Sequence, residues 1–403
     1  MGKVEQTNMP IDILCIGLPS WEGNYAKSTI LLLSSLASIH RVLYVEYQFT
    51  IKDVLINLIK REPNVPVKRI LGFENRFRKI PLRNNRCINV LTPPPVLPFY
   101  GIRNKRIHDW VLHINNKIIR RSVKKYLNKL NFNQPLFMNA FDPFYGSSNF
   151  GKFNEIGSLY YCYDDMATAP LLKNHGARLE ADFINSVDVS IFTSSALLNN
   201  RGNDKSFLIE NGVDFELFNQ RAKKKTDREA PSNKRNIIGF VGSMDERIDY
   251  GLLKFAITNL SQIDFQFVGR IICDNEMKEL DTFDNVELID PVSYNRLPEV
   301  MSNFDIGIIP FTLSEFNKSI YPMKINEYLS LGLPVVSTNF SDLTQFEKVI
   351  DITESNSSFC EALKQTVADK DETNRKNRIK TAQGNSWLKR AQKLSQIISH
   401  NFS

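Results

Sequence analysis

The segment Tyr321-Pro-Met-Lys-Ile-Asn-Glu-Tyr-Leu-Ser-Leu-Gly-Leu-Pro-Val-Val-Ser337 sets a lysine and a glutamate three residues apart at the start of an expected helix. The helix follows an apolar run, Phe304–Phe311, opens after Pro322 and stops at Gly332, which is ordinary helix punctuation. A helix that begins where a parallel strand ends points unpaired N–H groups and its positive dipole end at one spot, which suits an anion. Lys324 adds a point charge matched to a phosphate. Glu327, nearly one turn on, offers a carboxylate that can accept both hydrogens of a ribose diol, as dinucleotide-binding folds do. The competing reading of the same two residues is a helix-end lysine and a solvated glutamate.

Three other stretches carry groups with chemical use. In Ile237–Leu252 (IIGFVGSMDERIDYGL), Gly242 would let a backbone approach a phosphate and Arg247 could neutralise it. In Tyr160–Met166 (YYCYDDM), two adjacent carboxylates, Asp164 and Asp165, follow an apolar strand. Neighbouring side chains diverge, so one of the pair should face a ligand while the other can cap the next helix. In Ile13–Tyr25 (ILCIGLPSWEGNY), Gly17, Trp21 and Gly23 mark the loop after the first strand. The five histidines, His175 among them, show no metal-ligand spacing, so no metal site is expected. Five scattered cysteines with no Cys-x-x-Cys pair argue against a zinc site or a disulfide framework.

Elements must hold these groups in place. Ile11–Gly17, Arg41–Glu46, Gln134–Ala140, Gly157–Cys162, Val187–Thr193 and Ser206–Ile209 read as buried strands, separated by turn residues and helical patterns. The second half repeats the alternation through NIIGFVG, DFQFVG, NVELID, FDIGIIPF, LPVVST and KVIDI. Such alternation means parallel sheets covered by helices, an α/β protein whose ligands meet the carboxyl ends of the strands. The polar stretch Arg221–Arg235 reads as a linker. The expected domains are therefore 1–222 and 236–385, and 386–403 forms an amphipathic last helix with apolar positions Trp387, Leu388, Ala391, Leu394, Ile397 and Ile398. No Gly-x-Gly-x-x-Gly follows a strand, which disfavours an NAD-dependent oxidoreductase.

The Tyr321–Ser337 segment resembles the donor-binding motif of GT-B glycosyltransferases, in the version found in bacterial enzymes of polysaccharide and teichuronic-acid assembly. Its Met-Lys pair is similar to that of the xanthan glucuronosyltransferase. The resemblance implies two Rossmann-like domains facing a central cleft, the first for the acceptor and the second for a nucleotide-sugar, with the last helix crossing back to the first domain. It implies a donor site of Tyr321, Met323 beside the nucleotide, Lys324 on the diphosphate, Glu327 on the ribose, and Gly242 and Arg247. It places the loop with Gly17, Trp21 and Gly23 beneath the donor phosphates and near the acceptor, and assigns Asp165, or else Asp164, as the base that takes the acceptor's hydroxyl proton. The larger retaining family carries a second glutamate where this chain has Ser319. The expected activity is transfer from a nucleotide-diphosphate sugar, UDP-linked, to a lipid-linked or polysaccharide acceptor, with neither metal nor cofactor. The rival readings are a catalytically degenerate GT-B protein acting as a membrane-surface scaffold, and a GT-B sugar-nucleotide epimerase.

Charge and composition complete the expectation. The 403 residues carry a formal +7, but residues 52–129 alone carry a net +15 and the rest a net −8. Arg103–Leu130 combines nine basic residues with Ile107, Trp110, Val111, Ile114, Ile118 and Tyr126 at helical spacing, which reads as a helix for an anionic membrane surface. No recognised nucleic-acid-binding motif accompanies the charge, so nucleic acid is not an expected partner. The opening MGKVEQTNMPIDILC lacks the apolar core of a signal peptide. The expected location is thus cytoplasmic, peripheral on the inner face of the cell membrane.

Overall fold

The structure, a computed structural model, describes residues 10–23, 27–60, 65–83, 85–166, 175–225, 235–368 and 371–402. Most of the expected linker (226–234), two short pieces of the basic segment (61–64 and 84), and Tyr25 at the start of the first expected helix lie outside the described residues.

Contacts divide the chain into two units. The first comprises Met1–Glu210 with Arg390–Ser403, and the second Asn211–Lys389. The division falls ahead of the expected linker because the Phe215–Lys225 helix buries Phe218 in the core of the second unit.

Strands of the first unit are β1 (Asp12–Gly17), β2 (Arg41–Val45), β3 (Phe77–Pro81), β4 (Cys87–Leu91), β5 (Leu136–Ala140), β6 (Gly157–Cys162), β7 (Val189–Phe192) and β8 (Ser206–Leu208). They form one sheet in the order β3-β4-β2-β1-β5-β6-β7-β8. Every pair is parallel except β3 with β4. Apolar runs such as Leu14–Ile16 and Leu136–Met138 are buried throughout, as both faces of a parallel strand must be. The strand order reverses at β1, between β2 and β5, and this is the point where open α/β sheets hold ligands.

The second unit has β9 (Ile237–Val241), β10 (Asp264–Val268), β11 (Val286–Ile289), β12 (Ile306–Ile309), β13 (Val335–Thr338) and β14 (Asp351–Thr353). All are parallel, in the order β11-β10-β9-β12-β13-β14, so its switch point lies between β9 and β12. Both sheets have the doubly wound arrangement expected from the alternation of strand and helix.

Two helices qualify the sequence reading. Lys105–Leu130 is a 26-residue helix capped by the Asn104 side chain. Of its expected stripe only Val111 is buried; Ile114, Ile118 and Tyr126 are half-buried, and Ile107 and Trp110 are exposed. The residues it sends into the core of the first unit are Val111, Leu112, Ile119, Val123 and Leu127. The last helix, Trp387–Phe402, buries Trp387, Ala391, Leu394 and Ile398. No helix among the described residues is long and apolar enough to cross a membrane.

Candidate active site

At the switch point of the second unit, β9 ends in Gly242 and β12 feeds the loop that leads to the helix Met323–Ser330. Gly242 takes φ +148, and a Cβ there would crowd the Lys324 stem and come within 2.9 Å of its Nζ. Gly269, after β10, takes φ +146 so that its backbone can lie against the Gly242 carbonyl. Both residues occupy a conformation that favours glycine. The Lys324 ammonium can therefore rest on bare backbone, 5.8 Å from the centroid of the Phe240 ring.

Tyr328 fixes the helix above the strand. Its hydroxyl donates to the Gly239 carbonyl (3.2 Å) and accepts from the Val241 N–H (3.1 Å), so the helix can neither slide nor turn relative to β9. Pro322 stands at the N-cap and contributes no side-chain cap, which leaves the helix's first turn open to an anion. Glu327 is buried, and burial pushes its carboxyl up to about 7, with the Lys324 ammonium opposing the shift. Lys324 is pushed down by burial and by Arg247, and held up by Glu327 and Asp245.

Arg247 is gripped by Asp245 through Nε to Oδ1 (2.8 Å) and Nη2 to Oδ2 (2.6 Å), and lies over the Phe311 ring. Its own carbonyl accepts from the buried Asn317 side chain (3.1 Å) and from the Thr312 N–H (2.8 Å). The loops after β9 and β12 are thereby tied together. Two cations and two carboxylates converge here, with charges that a diphosphate and a ribose could replace or complement.

The remaining donor-side residues take quieter positions. Tyr321 is buried, and its hydroxyl accepts from Asn326 (2.8 Å), so it braces the helix. Met323 is half-buried at the first position of the helix. Ser319 is buried, and its hydroxyl donates to the Phe316 carbonyl (2.7 Å) at the end of the short helix Glu315–Lys318.

In the first unit, the loop after β1 hangs on Glu46. That fully buried carboxylate accepts from the Trp21 N–H (2.7 Å), from Arg78 (2.7 Å) and from Thr92. Gly17 lies against Tyr44, whose hydroxyl donates to the Pro19 carbonyl (2.5 Å), while Gly23 takes φ +117 and Trp21 stands near the Tyr44 ring. After β6, Asp164 accepts the Asp165 N–H on Oδ1 (2.8 Å). Asp165 is ion-paired with Arg201, which also bridges the buried Glu180, and Tyr160 donates to Glu180 (2.6 Å). His175 is engaged inside the unit: its Nε2 donates to the Ile102 carbonyl (2.9 Å) and its ring stacks on His108.

A family model described as "Glycosyl transferases group 1" matches residues 235–369, the stretch that holds every donor-side group just described. The protein named "Putative teichuronic acid biosynthesis glycosyltransferase TuaH" from Bacillus subtilis (strain 168) is 31% identical over 150 residues. That match spans 36% of this chain and only 38% of the relative. Among solved structures, sucrose-phosphate synthase from Thermosynechococcus elongatus superposes with a TM-score of 0.68 at 15% identity, covering 96% of this chain and 98% of that one. Anabaena HepE in complex with UDP gives 0.65 at 13% identity, covering 96% and 100%.

The fold is GT-B.

Within the GT-B frame, the stretch that the group 1 model matches contains the switch point carrying Lys324 and Glu327. The sequence reading missed several residues of this GT-B chain that the structure brings to its two switch points. Gly269, Asn317 and Tyr328 act through partners remote in sequence, the longest separation being the 89 residues from Tyr328 to Gly239, whereas Asp245 grips Arg247 only two residues on. Asp142 in the first unit went unnoticed as well. It follows β5, is fully buried, and has a carboxyl pushed up to about 7 by burial. The residue before it, Phe141, holds φ +55, a conformation rare for a bulky side chain. An Asp-Pro pair directly after a buried strand was the available signal.

Proposed function

We propose that this chain transfers a sugar from a nucleotide-diphosphate sugar, UDP-linked, to a lipid-linked or polysaccharide acceptor in cell-surface glycan assembly. The observation that carries the reading is the meeting of Lys324, Glu327 and the Asp245–Arg247 pair on the Gly242 backbone at the switch point of the second unit. In support, solved neighbours include HepE with UDP and with UDP-glucose, and the Bacillus subtilis relative is named for teichuronic acid biosynthesis.

The chemistry follows from charge. The bond between the sugar's anomeric carbon and the β-phosphate oxygen breaks, and a bond to the acceptor oxygen forms. The departing diphosphate gathers negative charge, which Lys324 and the N-terminus of Met323–Ser330 would stabilise in place, with Arg247 able to swing from Asp245 to phosphate. Glu327 would accept from the ribose, and Met323 would line the nucleotide. The acceptor's hydroxyl proton would pass to the Asp164–Asp165 pair, with Arg201 and Glu180 holding Asp165 in orientation. Trp21 and the Gly17–Gly23 loop would flank the acceptor. The acceptor would be met at the cytoplasmic face of an anionic membrane, drawn by the net +15 of residues 52–129. The reading of a non-catalytic GT-B scaffold leans on Ser319, whose hydroxyl is committed to a helix end.

Calorimetric titration with UDP, GDP and ADP, followed by a donor-hydrolysis screen over UDP- and GDP-sugars, tests this reading. Saturable UDP binding that is lost in Lys324→Ala is expected. Absence of nucleotide binding, or binding indifferent to Lys324→Ala, would overturn it, and binding without turnover would favour the scaffold.

A further inference from the structure

The helix Ile51–Lys60 turns its apolar side the wrong way. An amphipathic surface helix normally buries the stripe formed by positions i, i+4, i+7 and i+8. Here Ile51, Leu55, Leu58 and Ile59 form that stripe, and all four face solvent, with Leu55 at 56%, Leu58 at 59% and Ile59 at 84% exposure. The helix is held down instead by Val54 and Asn57 on its other side. Val54 joins Phe49 and Ile70 in a small cluster that also seats the neighbouring helix Val67–Leu71. That second helix ends in a left-handed Gly72 (φ +87), with the Phe73 N–H donating to the Lys68 carbonyl (2.8 Å). A residue in this position usually folds back on its helix. Phe73 stands out at 81% exposure, and Leu71 is exposed beside it.

Charge surrounds the apolar surface selectively. Lys52, Lys60 and Lys68 are all exposed on these two helices. Among the described residues of this stretch, Asp53 accepts from the Thr50 N–H (2.7 Å) and hydroxyl (2.8 Å), and Glu74 lies 3.9 Å from Arg69. The six exposed residues Ile51, Leu55, Leu58, Ile59, Leu71 and Phe73 thus come with a cationic fringe, in a segment of net +15.

We infer that the two helices Ile51–Lys60 and Val67–Leu71 form a monotopic membrane anchor, in which Ile59 and Phe73 enter the acyl boundary of an anionic leaflet while the lysines bind its headgroups. The inference deepens the membrane side of the proposed function and assigns the apolar contact to these two helices rather than to the Lys105–Leu130 helix, whose exposed large apolar residues are Ile107 and Trp110. A bilayer is the occupant the charge favours, since a second copy of this chain would set lysines against lysines across a two-fold interface. Apolar insertion with flanking lysines is also the combination that interfacial helices use.

The test is co-sedimentation of the full chain with vesicles of phosphatidylcholine and phosphatidylglycerol, run beside UDP titration on the same samples. Wild type should bind and retain part of its binding in high salt, where exposed charges are screened. Ile59→Ser combined with Phe73→Ser should weaken vesicle binding roughly tenfold while leaving UDP affinity and the circular dichroism spectrum unchanged. Lys52→Gln, Lys60→Gln and Lys68→Gln together should weaken binding at low salt only. Equal binding by wild type and the apolar variant would overturn this inference and leave a purely electrostatic membrane contact standing. Failure of wild type to bind vesicles would overturn both membrane readings, with the donor reading decided separately by UDP. Loss of a concentration-dependent dimer in the apolar variant, without vesicle binding by wild type, would assign the patch to a second copy and overturn the anchor.

Discussion

The two switch points solve the problem of placing charge by different means. In the second unit the working groups come from one short helix and the loop after one strand; Lys324 and its helix are aimed at backbone, through Gly242, Gly269 and the Tyr328 hydroxyl bonded to β9, while Arg247 is held by its near neighbour Asp245. In the first unit the carboxylates are aimed by other side chains, through Tyr160, Glu180 and Arg201 behind Asp165 and through Glu46 behind Trp21. Backbone aiming leaves a compact sequence signature, because a glycine, a helix start and a lysine must keep fixed spacing. Side-chain aiming leaves almost none, since any sufficiently long polar residue from any element can complete the network. The switch point of the second unit is accordingly readable as a motif, while the side-chain network of the first unit is readable only as a folded object.

The largest effect should come from the first unit. Asp165→Asn or Asp164→Asn should lower turnover by about 100-fold or more while nucleotide affinity stays level. Comparing the two variants in a single-turnover assay identifies the proton acceptor, and full activity in both would remove the pair from the reaction. Next, Lys324→Ala should weaken UDP binding by roughly 10- to 100-fold, the worth of a charged hydrogen bond, as read by calorimetry. An equal loss in Arg201→Met would break the contrast between the two regions, because Arg201 belongs to the network of the first unit alone.

Gly242→Val forces a branched side chain into φ +148 and onto the Lys324 stem, and should cost on the order of 1–3 kcal/mol of stability in chemical denaturation. A pH series separates the roles of Glu327. Its folded carboxyl is raised from the ordinary 4.5 to about 7, so the stability tied to its protonated form is whole below 4.5 and is lost as pH rises through about 7. UDP affinity should move the other way, increasing several-fold across the same interval as the ionised carboxylate becomes able to accept from both ribose hydroxyls. Glu327→Gln should flatten both curves. The smallest effect belongs to Tyr328→Phe, which removes two hydrogen bonds to β9 and should cost about 1–2 kcal/mol with a modest rise in the UDP dissociation constant.

Much of the architecture was legible from the chain. Apolar runs such as Ile11–Gly17 and Ile237–Val241 cannot be stable except as strands covered on both faces, and their alternation with helical patterns dictates parallel sheets. The pair β3 and β4 escaped notice because Phe77-Arg-Lys-Ile-Pro81 looks like a charged loop; as an edge strand it needs only one partner, β4, and tolerates charge. The Lys105–Leu130 helix showed a stripe but could not show what the stripe touches. The pattern of Ile51–Lys60 is equally amphipathic, yet its stripe faces outward, so periodicity alone cannot tell a core face from a surface one. On the donor side the spacing of Lys324 and Glu327 was visible, whereas Asp245 as the holder of Arg247 was not. Asp142 was marked only by its Asp-Pro pair after β5, and the burial that gives it significance is not written in that local pattern.

The first unit is not closed by the first half of the chain. Residues Arg390–Ser403 belong to it: Ser395 bonds to His40 (2.9 Å), Arg390 pairs with Glu210, and the Phe402 ring occupies the space a side chain at Gly157 would need. His40 accepts the Ile11 N–H on Nδ1, so its Nε2 carries the proton given to Ser395, and burial keeps the ring neutral down to about pH 4. During synthesis, the first unit must therefore wait with part of its surface uncovered while the 211–389 stretch is translated, roughly 10–40 s at ordinary elongation rates. For that interval His40 and Gly157 lack the Ser395 and Phe402 that cover them in the finished fold.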